Sequence, residues 1–243
     1  MPEGPSLIIL KEKLQPFIGK KISDAEGYAD IDYDEIIHRK IIDIKTWGKQ
    51  LFICLPKNNI GIHLRMFGSY TINEKKKKKI NPKLHLQFAK GEINFYVTDV
   101  KMIPSLDEYD QKADVMSNEW DASAAKKKLK DLPELKICDA LLDQHIFSGV
   151  GNIIKNEVLW QIRLHPATLI KNITAAKINA LMKEVVNYSF IFLEQKKEGS
   201  LSRNWNAYEQ KECSRCKGQI IKEEMGKGKR VTYFCPHCQP LKK

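Results

Sequence analysis

The chain has 243 residues, 42% of them hydrophobic, which is enough for two modest domains or one large one with a filled core and excludes a disordered polymer. Lys and Arg outnumber Asp and Glu by 41 to 30, so the formal charge is +11 and the pI near 9.2, pointing to polyanionic partners, nucleic acid before an anionic membrane surface. No stretch approaches ~18 consecutive apolar residues, and the start lacks a basic segment followed by an apolar one; neither a transmembrane helix nor a secretory signal is read, and a cytoplasmic location is expected.

The chain opens "MPEGP". Trimming of Met1 before a small residue would expose a secondary α-amine on Pro2, and because an α-amine titrates near pH ~8, a useful fraction is nucleophilic at neutral pH with Glu3 beside it. Taken alone, the pentapeptide fits an uninformative terminus better. "MPEGPSLIILKEKLQPFIGKKI" reads as one helix ending between Pro16 and Gly19. Strand-like alternation follows: Leu51, Ile53 and Leu55 face Ile60, Ile62, Leu64 and Met66 across "PKNN", and Leu84, Leu86 and Phe88 face Ile93, Phe95 and Val97 across "AKGE". These hairpins predict an antiparallel β-sandwich or barrel from about residue 20 to 105. The run Lys75 to Lys79 between them reads as a solvated loop, and the acidic, aperiodic "DEYDQKADVMSNEWD" as a linker.

Beyond the linker the period becomes helical, most clearly at Ile178, Leu181, Met182, Val185, Val186 and Ser189, with Thr174 as N-cap. In "DQHIFSGVGNIIKNEVLWQIRLHP" one helix ends, Gly149 and Gly151 permit a tight turn, Asn152 is expected to cap, and a new helix is expected from Ile153. Such a turn, backed by the helix dipole, would offer backbone N–H groups to phosphate, although glycine spacing alone favours an ordinary helical hairpin. Cys213 and Cys216, then Cys235 and Cys238 after eighteen residues, have the spacing of a four-thiolate zinc site, whose closed coordination shell would make one zinc per chain structural. Cys54 and Cys138 stand alone in apolar surroundings, which argues against a disulfide framework. The segment between the cysteine pairs would form a hairpin presenting Lys227, Lys229 and Arg230; the last 33 residues hold nine Lys or Arg against three Glu.

The glycine-turn stretch closely resembles the helix-two-turn-helix of the formamidopyrimidine-DNA glycosylase and endonuclease VIII family. "MPEGP" resembles that family's catalytic N-terminus, "WGKQLF" its catalytic-lysine strand, and "GKRVTYFCPHCQ" the second half of its zinc finger. Four motifs in the right order span nearly the whole chain. The implied fold is α+β: an N-terminal helix and antiparallel β-sandwich over 1–106, a linker over 107–122, a helical domain with the helix-two-turn-helix over 123–207, and a zinc finger over 208–243, with damaged double-stranded DNA held by a monomer.

The resemblance also implies an enzyme of base excision repair, a DNA glycosylase with apurinic/apyrimidinic lyase activity. The Pro2 nitrogen would attack C1′ of the damaged nucleotide, expel the base and form a Schiff base, after which β- and δ-elimination cut the strand. Glu3 would work as acid and base, Lys49 would assist at a phosphate or sugar oxygen, Arg230 would serve the δ-elimination, and Asn152 and Lys155 would hold the DNA backbone. In "HLRMFGSY" the residues Arg65, Met66 and Phe67 coincide with the gap-filling triplet of the endonuclease VIII branch, an apolar wedge beside a cation. That branch, the "PEGP" start and the short segment before Cys213 imply a preference for oxidised pyrimidines; oxidised purines are the alternative within the family, and a non-catalytic zinc-dependent DNA-binding protein the alternative outside it. Two departures stand out. Ser6 replaces a glutamate common in relatives, and the linker lacks an arginine for which Lys112 is a partial substitute.

Overall fold

A computed structural model describes residues 2–74 and 80–241, so the run Lys75 to Lys79 lies outside the described residues. The chain divides into two compact units, one of residues 1–2 and 6–109, the other of residues 3–5 and 110–243.

In the first unit, helix α1 (Gly4–Leu14) turns Leu7, Leu10 and Leu14, spaced three and four apart, into the core. Pro16 has no N–H to continue the helix, and the chain tightens into a 3-10 turn, Gln15–Phe17, close to the stop expected from the sequence. Among the described residues eight strands follow: β1 (Ile22–Gly27), β2 (Asp43–Trp47), β3 (Gln50–Cys54), β4 (Asn59–His63), β5 (Ser69–Ile72), β6 (Leu84–Phe88), β7 (Glu92–Tyr96) and β8 (Asp99–Ile103). They make two four-stranded antiparallel sheets, ordered β1-β6-β7-β5 and β2-β3-β4-β8. Both expected hairpins are present, β3–β4 and β6–β7. Ile22, Leu84, Leu86 and Phe95 of one sheet and Ile44, Ile53, Ile60 and Ile62 of the other share a single buried cluster. Met66 is not part of the strand pattern, because β4 ends at His63 and Met66 stands exposed on the following turn.

In the second unit, the segment read as a linker is packed from Asp110 onward. Ala113, Asp114 and Val115 are buried, Ser148 N donates to Ala113 O at 2.8 Å, and Val115 N donates to Ser148 O at 3.2 Å. Its apolar residues are too few and too interspersed with acids to show a period, yet they are enough to seat it. Helices α2 (Ala122–Lys130), α3 (Ile137–Ala140), α4 (Asn152–Gln161) and α5 (Ala175–Lys197) follow, then the hairpin of β9 (Ile221–Met225) and β10 (Arg230–Phe234). Thr174 caps α5 as expected, its Oγ1 accepting from Lys177 N. Residues 152–160 of α4 are all buried, so this helix carries no amphipathic stripe. Among the described residues no helix is long and apolar enough to cross a membrane.

Candidate active site and metal centre

Helix α4 begins one residue earlier than expected, with Gly151 as N-cap and Asn152 as its first residue. Its N-terminal N–H groups do not point to solvent. The Glu3 carboxylate takes them: Oε1 accepts from Ile153 N at 2.7 Å, and Oε2 from Gly151 N at 2.9 Å and Ile154 N at 3.2 Å. Three orphan donors and the positive end of the helix dipole thus stabilise a carboxylate that is 1% exposed. The glycine turn is therefore not an open phosphate cradle, because a side chain of the same chain already fills it. Gly151 is needed for close approach, since a Cβ there would lie 2.4 Å from Glu3 Cδ. The backbone is pinned as well, with Gly4 N donating to Gly149 O at 2.9 Å. Pro2, half-buried, is peptide-bonded to this anchored residue, and Ser6 is buried on the first turns of α1.

One face of α4 holds strand β10 through side chains. Asn152 Nδ2 donates to Val231 O at 2.8 Å, Lys155 Nζ to Thr232 Oγ1 at 2.9 Å, and Asn156 Oδ1 accepts from Tyr233 N at 2.9 Å. The spacing of these residues, i, i+3 and i+4, puts them on one side of the helix. Arg230 starts β10, and the turn before it is fixed from the other side by Asp139, whose carboxylate accepts from Lys227 N at 3.0 Å. A Cβ on Gly226 would clash with that carboxylate at 2.1 Å. Lys155, expected at the DNA backbone, is instead fully buried; burial pushes its ammonium down to about 8, with Arg230 pushing the same way and Cys138, Asp139 and Glu3 opposing. Asn152, with the same expected role, is 6% exposed and engaged with β10.

The four cysteine sulfurs expected to hold a metal lie within 4.8 Å of one another. Cys213 to Cys238 is 3.9 Å and Cys216 to Cys235 is 3.5 Å. A tetrahedron with Zn–S bonds of about 2.3 Å has S–S edges of about 3.8 Å, so the donor set fits zinc in size as well as in chemistry. Outer contacts hold the knuckles. Trp160 Nε1 of α4 donates to Cys213 Sγ at 3.3 Å, Arg215 stacks 3.9 Å over the Trp160 ring, and buried Gln239 accepts from Cys235 N while donating to Leu164 O. Burial pushes the Cys213 thiol up, but the bonds from Trp160 and from the Cys216 and Arg215 backbone outweigh it and bring it to about 6.

In the first unit, Lys49 sits half-buried in the turn between β2 and β3, next to Gly48 at φ +52°. Arg65, Met66 and Phe67 are exposed together on the turn after β4. Gly68 allows that turn, because a Cβ there would lie 1.9 Å from Leu64 O. His63 lies between the two groups: burial lowers its pKa first, the Arg65 and Lys49 charges lower it further, and Asp99 opposes. The structure thus gathers Glu3, Asn152, Lys155, Arg230 and the cysteines in the second unit, and Lys49 with Arg65 in the first. Sequence reasoning missed Asp139, Thr232 and Asp99, whose partners are distant in sequence, and Asn156, for which the i,i+4 pair of asparagines in "NIIKN" was a usable signal.

The family model described as the formamidopyrimidine-DNA glycosylase N-terminal domain matches residues 1–103, and that of the H2TH domain matches residues 112–200. The chain is 34% identical over 205 residues to endonuclease 8-like 3 of Bos taurus, covering 81% of this chain and 34% of that protein. It is 30% identical over 256 residues to endonuclease 8-like 2 of Homo sapiens, covering 98% of this chain and 75% of that protein. The chain thus spans about a third of the length of the endonuclease 8-like 3 relatives. In fold it is similar to a solved Lactococcus lactis formamidopyrimidine-DNA glycosylase bound to DNA containing an abasic site, with a TM-score of 0.85 at 24% identity over 98% of this chain and 99% of that one. The matched domains, the four-cysteine cluster and the named relatives together show that the chain belongs to the formamidopyrimidine-DNA glycosylase and endonuclease VIII family, on its endonuclease VIII-like branch.

Proposed function

We propose that the chain is a bifunctional DNA glycosylase and apurinic/apyrimidinic lyase acting on damaged double-stranded DNA, with Pro2 as nucleophile and a structural zinc on Cys213, Cys216, Cys235 and Cys238. The observation that carries this reading is the Glu3 carboxylate, fixed by three N–H donors one residue from Pro2. With Met1 removed, the Pro2 nitrogen lone pair forms a bond to C1′, the C1′–N glycosidic bond breaks with its electrons leaving on the base, and opening of the sugar gives a cationic imine. The imine acidifies the C2′ protons; loss of one expels the 3′ phosphate, and a second elimination expels the 5′ phosphate. Glu3 takes and returns protons at the sugar, and its negative charge favours the cationic imine. Tethering it to the neighbouring residue removes the entropic cost of bringing base and nucleophile together.

Lys49 and Arg230 supply positive charge to phosphate oxygens as they leave, Lys49 from its hairpin turn and Arg230 from the start of β10, whose turn Asp139 fixes. Asn152 and Lys155 contribute by holding β10 to α4 rather than by gripping phosphate from the surface. Zinc would close the knuckles on which the finger hairpin is built, supplying rigidity and no chemistry.

Oxidised pyrimidines are the proposed preference. Arg65, Met66 and Phe67 share one turn, and the fifteen residues between α5 and Cys213 are short and tied down, with Glu157 accepting from Asn206 N, Ala207 N and Tyr208 N at 2.8 to 2.9 Å. A segment anchored in this way offers little chain to enclose a large everted purine. Single-turnover excision of thymine glycol, 5-hydroxyuracil and 8-oxoguanine from otherwise identical duplexes tests the reading; faster removal of 8-oxoguanine would assign the purine preference, and no excision of any of them would remove the glycosylase.

A further inference from the structure

The sheet edge that carries Lys49 also carries an acid without a role in the scheme above. Gln50, His63 and Asp99 are register partners on β3, β4 and β8, so their side chains form one row across the sheet. Two residues beyond His63 the chain turns at Arg65 with φ +50°, a left-handed conformation that side-chain-bearing residues adopt rarely. Two interactions hold it there. The Arg65 backbone N–H donates to His63 Nδ1 at 3.1 Å, and the Arg65 guanidinium pairs with the Asp99 carboxylate. Past this anchored residue, Met66 and Phe67 are 47% and 78% exposed, apolar side chains held away from the surface they would otherwise cover.

We propose that Asp99 is a positioning residue for the wedge: by pairing with Arg65 it sets the Arg65–Phe67 turn in the shape that enters a gap in DNA, and it withholds the Arg65 charge from phosphates. The proposal rests on the reading of the chain as an enzyme of damaged duplex DNA. A guanidinium presents five donors in a fixed fork and binds a phosphate or a base edge equally readily. Beside a carboxylate its net attraction for a polyanion is cancelled, so what remains is directional hydrogen bonding to the acceptors of the base left unpaired. An acid on a wedge that must approach a polyanion opposes binding in general, and it is retained where it makes that binding selective. The pair is half-exposed, so its contribution to folding is small and its removal leaves the fold standing.

The test is Asp99→Asn, with Arg65→Ala and the double variant completing a cycle. Binding of each protein to an intact duplex and to the same duplex with one tetrahydrofuran abasic analogue is measured over a salt series. In Asp99→Asn the preference for the abasic duplex is expected to fall about fivefold, while the log–log salt slope on intact DNA steepens by about one as Arg65 gains a phosphate. Neither change is expected when Asp99→Asn is added to Arg65→Ala. A merely structural role would lower the unfolding midpoint and leave the salt slope alone. An unchanged preference and slope in Asp99→Asn, or the same changes without Arg65, overturns the proposal; absence of any abasic preference in the unaltered protein overturns the enzyme reading along with it.

Discussion

Ile153 N–H donates to Glu3 Oε1 at 2.7 Å across 150 residues of sequence, so the second residue after the initiator is fixed by the first turn of a helix in the middle of the chain. Glu3→Gln keeps the shape but replaces an acceptor facing N–H donors with an amide NH₂. The cost is expected to be about 2 kcal/mol, from a lost charge-assisted bond and an opposed donor. Gly151→Ala drives a Cβ into the same carboxylate and is expected to cost about 1 to 3 kcal/mol. Urea unfolding of both variants checks the figures, and both should lose lyase activity beyond what the unfolded fraction explains.

Lys155 gives the pH dependence a definite sign. Its folded pKa, about 8, lies below its ordinary value of 10.5, so between those values the unfolded chain binds more protons than the folded one, and stability from this group rises as pH goes from about 8 to 10.5. Below about 8 the buried charge is fully present and destabilising. Lys155→Met removes it, and at neutral pH is expected to offset the lost bond to Thr232 and raise stability by on the order of 1 to 2 kcal/mol, while flattening the alkaline rise. Unfolding measured at neutral and at alkaline pH reads both effects.

The β3–β4 and β6–β7 hairpins, the Thr174 cap and the cysteine pairs are legible because each is written in local periodicity or spacing, whereas β1, β2, β5 and β8, which complete the two sheets, are not. The contents of the α4 N-terminus were not. "GVGN" announces a helix start with open donors, but nothing near it in sequence says that Glu3 fills them. The surroundings of Lys155 are hidden for a related reason: it lies in a helix buried on every side, and its partner Thr232 on β10 is 77 residues away in sequence. The packed segment after Asp110 is hidden by its acids, although two of them are satisfied locally: Asp114 accepts from Met116 N in a turn, and Asp121 caps α2 by accepting from Ser123 N and Ala124 N.

Metal analysis should find one zinc per chain, and serine at Cys213 should release it. Because Cys213 also receives the Trp160 N–H, the change reaches α4 and through it β10. DNA affinity is expected to weaken and the salt slope to flatten by about one for each phosphate no longer held, the one at Arg230 first. Metal-free protein with an unchanged slope would deny zinc its structural role.

Phe67 separates folding from function. It is 78% exposed, so Phe67→Ala is expected to change stability by less than about 0.5 kcal/mol. A wedge is needed only where a base must be displaced from a stack, so the variant should lose activity on a lesion in duplex DNA and keep it on an abasic single strand. Equal losses on both would deny Phe67 the wedge role.

The central claim, that Pro2 is the nucleophile, is tested most directly by borohydride reduction during reaction with an abasic duplex. The imine between Pro2 and C1′ should be reduced to a stable adduct, and peptide digestion of the trapped protein should place the DNA on the N-terminal peptide beginning at Pro2. Strand cleavage by the unaltered protein without an adduct, or an adduct located on Lys49, Lys155 or any other residue, would contradict it.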